Sequence, residues 1–339
     1  MKGTFFLGGG EFETRTMASH DLADNEVLVK VSACGVCGTD VHIFHGDKGS
    51  AEVDPPVILG HEISGIVERI GNKVSRLKPG DHVALDPNIY CGECHYCRIG
   101  KKQLCMNLQA IGVTRNGGFA DYCYAPESQC FLLSDEVPLD EGAMAEPLAC
   151  CIHGMDRLGL KHGETVCVIG GGAIGLLMVQ LSRLGGASTI ILSEPVEERR
   201  RVGLSVGADY AIDPTSQDIG KEVRRILGKS GADCVIECVG NVKAIEQAFQ
   251  VADKGAKLLL FSVPKAGSEY ALILDDVYRK ELTIVGSMIN PDTHQRAVDL
   301  INSRKIELRK LITHHFSHEK LKEAIFMQMS CESLKVIVG

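Results

Sequence analysis

Up to about Leu133 the chain alternates short apolar runs with turn residues. The alternation predicts strands over 26–33, 63–74, 82–86 and 119–124, broken by Pro55-Pro56, Lys78-Pro79-Gly80-Asp81 and Asn116-Gly117-Gly118. An antiparallel, barrel-like first domain is expected from such a series. From Cys150 to about Gly286 the period changes: apolar strand-length runs at 165–169, 189–192, 210–212, 234–237, 257–262 and 282–285 are separated by helical stretches such as 242–251. Six parallel strands with crossover helices make a doubly wound α/β sheet. The remainder reads as a helix over 292–303, a strand over 311–315, a helix over 318–329 and a strand over 335–338. It carries no nucleotide signal and is expected to return to complete the first domain. The expected division is therefore 1–149 with 291–339, and 150–290. There is no repeat, no low-complexity segment and no apolar run of membrane-spanning length.

The first strand of the α/β half runs into Gly170-Gly171-Gly172-Ala173-Ile174-Gly175, a Gly-x-Gly-x-x-Gly pattern opening an apolar helix over 176–184. In this context Gly170 permits the tight turn, Gly172 lets a pyrophosphate approach the backbone, and Gly175 lets helix and strand pack closely, while the helix N-terminus around Ala173 and Ile174 presents free N–H groups. The next strand ends at Glu194, where a carboxylate binds the ribose hydroxyls and repels a 2′-phosphate, so NAD is expected over NADP. Arg199, Arg200 and Arg201 bear on this choice. An arginine there can accept a phosphate, or the three form the solvated face of a helix starting near Val196.

Cys91, Cys94, Cys97 and Cys105 form a Cys-x2-Cys-x2-Cys-x7-Cys run. Four thiolates from one compact lobe suit tetrahedral zinc with no open position, a structural site. Ferredoxin clusters begin the same way but continue x3-Cys-Pro, whereas here seven residues intervene and Met106 follows. A closed zinc does no chemistry, so a reactive centre is expected elsewhere. Cys37, flanked by glycines, and Gly60-His61-Glu62 offer a thiolate, an imidazole and a carboxylate within a short span, a set able to hold a metal with a vacancy. Thr313-His314-His315-Phe316 is not such a set, because neighbours on a strand face opposite ways.

Composition narrows the class. The 339 residues suffice for two domains, each with its own core. A net charge of −8 without a basic stripe speaks against nucleic acid. Fourteen cysteines in a long chain that starts Met1-Lys2-Gly3-Thr4, without the apolar core of a signal peptide, indicate a reducing, cytoplasmic setting rather than a disulfide scaffold.

Taken in order along the chain, Cys37-Gly38-Thr39-Asp40-Val41-His42, Gly60-His61-Glu62, Lys78-Pro79-Gly80-Asp81-His82-Val83, the four-cysteine lobe, Gly117-Gly118-Phe119-Ala120-Asp121-Tyr122, Glu146-Pro147-Leu148 and the glycine fingerprint resemble the zinc-containing medium-chain dehydrogenase/reductase superfamily. Within it the chain is similar to the polyol, sorbitol-like dehydrogenases. The resemblance implies a GroES-like catalytic domain and a Rossmann NAD domain, two zinc ions per chain, and a homodimer or homotetramer. It also implies a catalytic zinc held by Cys37, His61 and Glu62, with water and Glu146 completing the shell. Thr39 would take the alcohol proton, His42 would relay it, and Glu146 would alternate between metal and water as a base. Glu146 stands where alcohol dehydrogenases carry a second cysteine ligand, which makes the site harder and more polar. The expected reaction moves a hydride from a secondary alcohol, in a polyol, sugar alcohol or vicinal diol, to NAD. Gly286-Ser287-Met288-Ile289-Asn290 departs from the sorbitol enzymes' substrate segment and leaves the particular alcohol open. Two other readings are an amino-alcohol oxidiser like threonine dehydrogenase, and a nucleotide-binding regulator without turnover, which would have no reason to keep Cys37, His61, Glu62 and Glu146 together.

Overall fold

Strand Glu26–Gly35 is buried along most of its length and organises the β-rich half of the chain. A computed structural model describes residues 1–47, 51–265 and 267–339. The chain divides into Met1–Ala149 with Ile289–Gly339, and Cys150–Met288. In the first unit Glu26–Gly35 pairs antiparallel with Glu62–Ile70 on one side. Its other edge is shared in sequence, residues 26–30 pairing with Tyr122–Pro126 and Cys34–Gly35 with Lys335–Val338. Register shifts at Leu28/Val29 and Val31/Ala33 bend the strand between these partners. His82–Leu85 and Cys130–Leu132 extend the sheet one way and Ile312–Phe316 the other, making seven strands. Phe6, Val29, Ile43, Ile63, Phe119 and Val336 lie in its core.

Among the boundaries that differ from the sequence reading, two have a plain local cause. The strand expected over 63–74 stops at Ile70 because Gly71 turns inward, where a Cβ would lie 2.1 Å from the Ala23 carbonyl oxygen. The strand expected over 119–124 is displaced to Tyr122–Pro126, since Phe119 spends its N–H on Leu59 and its carbonyl on Thr4.

The second unit is a six-stranded parallel sheet in the order Tyr210–Ile212, Thr189–Ser193, Thr165–Ile169, Ala232–Glu237, Ala252–Leu260, Thr283–Gly286. The order reverses between Thr165–Ile169 and Ala232–Glu237, the switch point outside whose carboxyl ends ligands bind in such sheets. Both faces of the central strands are covered, which is why Cys167, Val235 and Leu258 sit in continuous apolar runs and are fully buried. Caps fix the helices between: Asp218 accepts from Lys221 N, Asn241 accepts from Ala244 N, and Gly228 ends Ile219–Leu227 with φ +66°. Among the described residues no helix is long and apolar enough to cross a membrane.

Candidate metal centres and nucleotide loop

The four-cysteine lobe folds around a four-residue helix, His95–Arg98, preceded by Cys94. Cys91 Sγ lies 3.5 Å from Cys105 Sγ and 4.0 Å from Cys97 Sγ, and it accepts from Cys94 N at 3.4 Å. Sulfurs about 2.3 Å from a tetrahedral zinc stand roughly 3.8 Å apart, so the lobe has the spacing the metal requires and is far from disulfide contact. All fourteen cysteines are free thiols. Backbone N–H groups, Cys97's foremost, lower the Cys94 thiol to about 6, while burial pushes Cys97 up to about 12. As four thiolates these sulfurs would repel one another unless a cation sat among them.

The second cluster joins two loops through one sheet. Cys37 precedes the helix Gly38–Phe44, whose Asp40 carboxylate accepts from Cys37 N at 2.8 Å and fixes the turn. His61 and Glu62 open strand Glu62–Ile70. One ligand atom from each of Cys37, His61 and Glu62 falls within 4.8 Å of the others. Glu62 is fully buried and faces Gly35, where a Cβ would lie 1.8 Å from its Oε2. The glycine is therefore room for a carboxylate. His61 Nδ1 lies 3.7 Å from Asp40 Oδ1, and both atoms are buried with no hydrogen bond among the described residues. Burial disfavours a charged imidazole, yet Asp40 first, then Cys37 and Glu146, carry the His61 pKa well above the ordinary histidine value. Such clustering of acidic groups around His61 suits a bound cation, and thiolate, imidazole and carboxylate donors suit zinc.

Glu146 is buried in the first turn of helix Ala145–Leu158 and acts on His61 through its charge, but it stands outside the tight trio. Thr39 Oγ1 lies 3.8 Å from Cys37 Sγ. His42 is partly exposed, with Nδ1 3.3 Å from Asp47 Oδ2. His315, which the sequence reading left as scaffold, pairs with Asp140 at 3.3 Å.

In the other unit Gly170 has φ +99° and a Cβ at Gly175 would lie 1.8 Å from the Gly170 carbonyl oxygen, whereas a Cβ at Gly172 would meet nothing within 4 Å. Two of the glycines make the turn and its packing possible; the third leaves a bare backbone cradle ahead of the twelve-residue helix Ala173–Leu184, which has no side-chain cap. Glu194 has a role that spacing alone does not reveal. Its Oε2 accepts from Gly171 N at 2.6 Å and its Oε1 from Val196 N at 2.9 Å. It clamps the loop. Arg200 bonds the Glu194 and Pro195 carbonyls, Arg201 pairs with Glu197 and Glu198, and Arg199 is partly buried on the same helix, Glu197–Ser205.

Two residues were missed as functional. Asp40 lies inside the Cys37 motif. Lys335 is detectable only as a lone charge in the apolar run Leu334–Val338, and its Nζ is 2.7 Å from both Glu62 oxygens. Asn290, in the segment that departs from the sorbitol enzymes, is fully buried and bonds Asp86 and Asn88.

The family model for the alcohol dehydrogenase GroES-like domain matches residues 23–135, and that for zinc-binding dehydrogenase matches 173–303. Sorbitol dehydrogenase of Bacillus subtilis is 31% identical over 100% of this chain and 97% of its own length. The chain belongs to the zinc-binding alcohol dehydrogenase family. L-threonine 3-dehydrogenase of Pyrococcus horikoshii is 33% identical over 92% of this chain and 90% of its own. Among solved structures, a putative zinc-binding dehydrogenase from Sinorhizobium meliloti bound to NADP is 39% identical with a TM-score of 0.95, covering 99% of this chain and 98% of that one. The similarity of this zinc-dependent dehydrogenase to these relatives runs over 90% or more of each of their chains.

Proposed function

We propose that this dehydrogenase oxidises a secondary alcohol of a polyol, sugar alcohol or vicinal diol to the ketone, with NAD as hydride acceptor. The observation that carries the reading is the convergence of Cys37, His61 and Glu62, the last two buried, with the charge of Glu146 beside them. Zinc held there would supply an electrophile that lowers the cost of charge on the substrate oxygen, and NAD held by the glycine loop would supply the hydride acceptor. Cys37, His61 and Glu62 would hold the metal, with the Asp40 carboxylate 3.7 Å from His61 Nδ1. Thr39, whose Oγ1 is 3.8 Å from Cys37 Sγ, receives the hydroxyl proton. Asp47 at Nδ1 of His42 leaves Nε2 to pass that proton to water. Glu146 holds negative charge against the metal ligands and serves as the exchangeable base. The Bacillus subtilis sorbitol dehydrogenase, similar over the full chain, supports a polyol substrate.

NAD is favoured because Glu194 is 3% exposed just beyond the end of its strand and the neighbouring Arg200 and Arg201 are engaged with carbonyls and carboxylates of this chain. The edge strand Thr283–Gly286 and the adjoining helix Leu274–Lys280, with Tyr278 84% exposed, support a homodimer or homotetramer joined there, readable by light scattering. Fourteen free thiols support a reducing compartment such as the cytoplasm. The deciding experiment follows NADH and NADPH formation across polyols, vicinal diols, phosphorylated polyols and L-threonine. Turnover of a polyol or diol with NAD is expected; kcat/KM highest for L-threonine would replace this reading by the amino-alcohol one.

A further inference from the structure

Lys335 is the one charged residue of strand Lys335–Val338 and is 4% exposed. A buried ammonium has three N–H donors to satisfy, and here they have three acceptors: both Glu62 oxygens at 2.7 Å and the Val36 carbonyl at 3.2 Å. Glu62 is pinned from the other side by Gly35, where no side chain fits. The strand itself is locked beside Cys34 and Gly35 by sheet pairing. This carboxylate, one of the three groups that converge as ligands, is thus already neutralised by a fixed cation of the same unit. Two cations sharing one carboxylate weaken each other's hold on it, and the linkage is reciprocal.

We propose that Lys335 is a positioning residue of the catalytic metal site, competing with the metal for Glu62 so that this ligand stays weak and able to let go. The inference rests on the assignment of Cys37, His61 and Glu62 as the zinc site. It adds the strand Lys335–Val338, distant in sequence from the other site residues, to the catalytic centre. Without the ammonium, Glu62 gives its full charge to the metal. The site then binds zinc more tightly and exchanges ligands less readily.

The test compares wild type with Lys335→Met, Lys335→Arg, Glu62→Gln and the double variant K335M/E62Q, loaded with zinc or with cobalt(II) at the exchangeable site. Release of zinc to excess chelator and the cobalt d–d bands are recorded, with NADH affinity as a control on folding. K335M is expected to release its exchangeable zinc about tenfold more slowly, with weakened bands as Glu62 adds to the coordination, while K335R restores wild-type release and spectrum. In the E62Q background K335M should change nothing further. Release from K335M as fast as from wild type, an unaltered cobalt spectrum, or an effect that persists in E62Q would each overturn the proposal. Should K335M alone not fold, K335R and the neutral pair decide: the proposal stands if the pair releases zinc like E62Q and falls if it does not. A wild type with one zinc per chain and no cobalt uptake instead refutes the site assignment itself.

Discussion

Glu194 joins cofactor choice to loop geometry, and replacing it separates the two. Its carboxylate makes two backbone hydrogen bonds, to Gly171 N and Val196 N at 2.6 and 2.9 Å, in a buried position. A hydrogen bond to a charged group contributes about 1.5–3 kcal/mol. Water can re-enter the space left by Glu194→Ala, so the losses in loop stability and in the ribose contact together amount to about one such bond. NADH should therefore bind about 10- to 100-fold more weakly to the variant. NADPH gains from the removal of a repelling charge what it loses in the loop, so its affinity should change little and the ratio of the two should move by about tenfold or more. Fluorescence titration of each reduced nucleotide against wild type, Glu194→Ala and Glu194→Gln measures this without any substrate. If both nucleotides weaken equally in Glu194→Ala, Glu194 is a loop clamp alone and does not select the cofactor. A wild type that binds NADPH as tightly as NADH would show the same directly.

Three further outcomes are expected. Protein purified without chelator should hold two zinc ions per chain, one of them resistant to exchange because four thiolates enclose it; metal analysis with timed chelation reads both, and one equivalent or iron would contradict it. Cys37→Ser and His61→Ala should abolish oxidation while leaving NADH affinity within about twofold, since the glycine loop has its own core, whereas Glu146→Gln should retain zinc, lower kcat and displace the pH–rate profile. Asp86 is buried among Asn88 and Asn290, and burial raises its pKa to about 6 despite their hydrogen bonds. A carboxyl raised in the folded state stabilises below its unfolded value and loses that contribution as pH rises through 6. Asp86→Asn should accordingly gain about 1.4 kcal/mol on wild type between pH 5 and pH 7.5, a gain that denaturation at the two pH values would detect or exclude.

The parts of this fold that the sequence made legible are those written locally. The central runs of the parallel sheet are apolar because both faces are covered, and the glycine pattern sits where strand meets helix. The cysteine lobe is legible because one short loop carries all four ligands. The hairpin Lys2–Gly8 and Glu11–Thr16 was not anticipated: its second strand, Glu-Phe-Glu-Thr-Arg-Thr, is almost wholly exposed and lacks a buried face to produce alternation. Nor does spacing disclose groups brought together by the sheet, as with Lys335 and Glu62, 273 residues apart, or a residue serving two neighbours at once, as Glu194 does.

The shared edge of strand Glu26–Gly35 has a consequence for biogenesis. Along that edge residues 26–30 are covered by a strand about a hundred residues later, but Cys34 and Gly35 gain their neighbour there only from Lys335–Val338. Every strand of the nucleotide unit lies between them in sequence. On the ribosome, which delivers the chain from its N-terminus, the unit encoded second has all its strands in hand while the one begun first still lacks an inner strand and the cation beneath Glu62. Metal uptake at Cys37, His61 and Glu62 is then a late event in the life of the nascent chain, and the cysteine lobe, whose ligands emerge within fifteen residues of one another, can take its zinc long before.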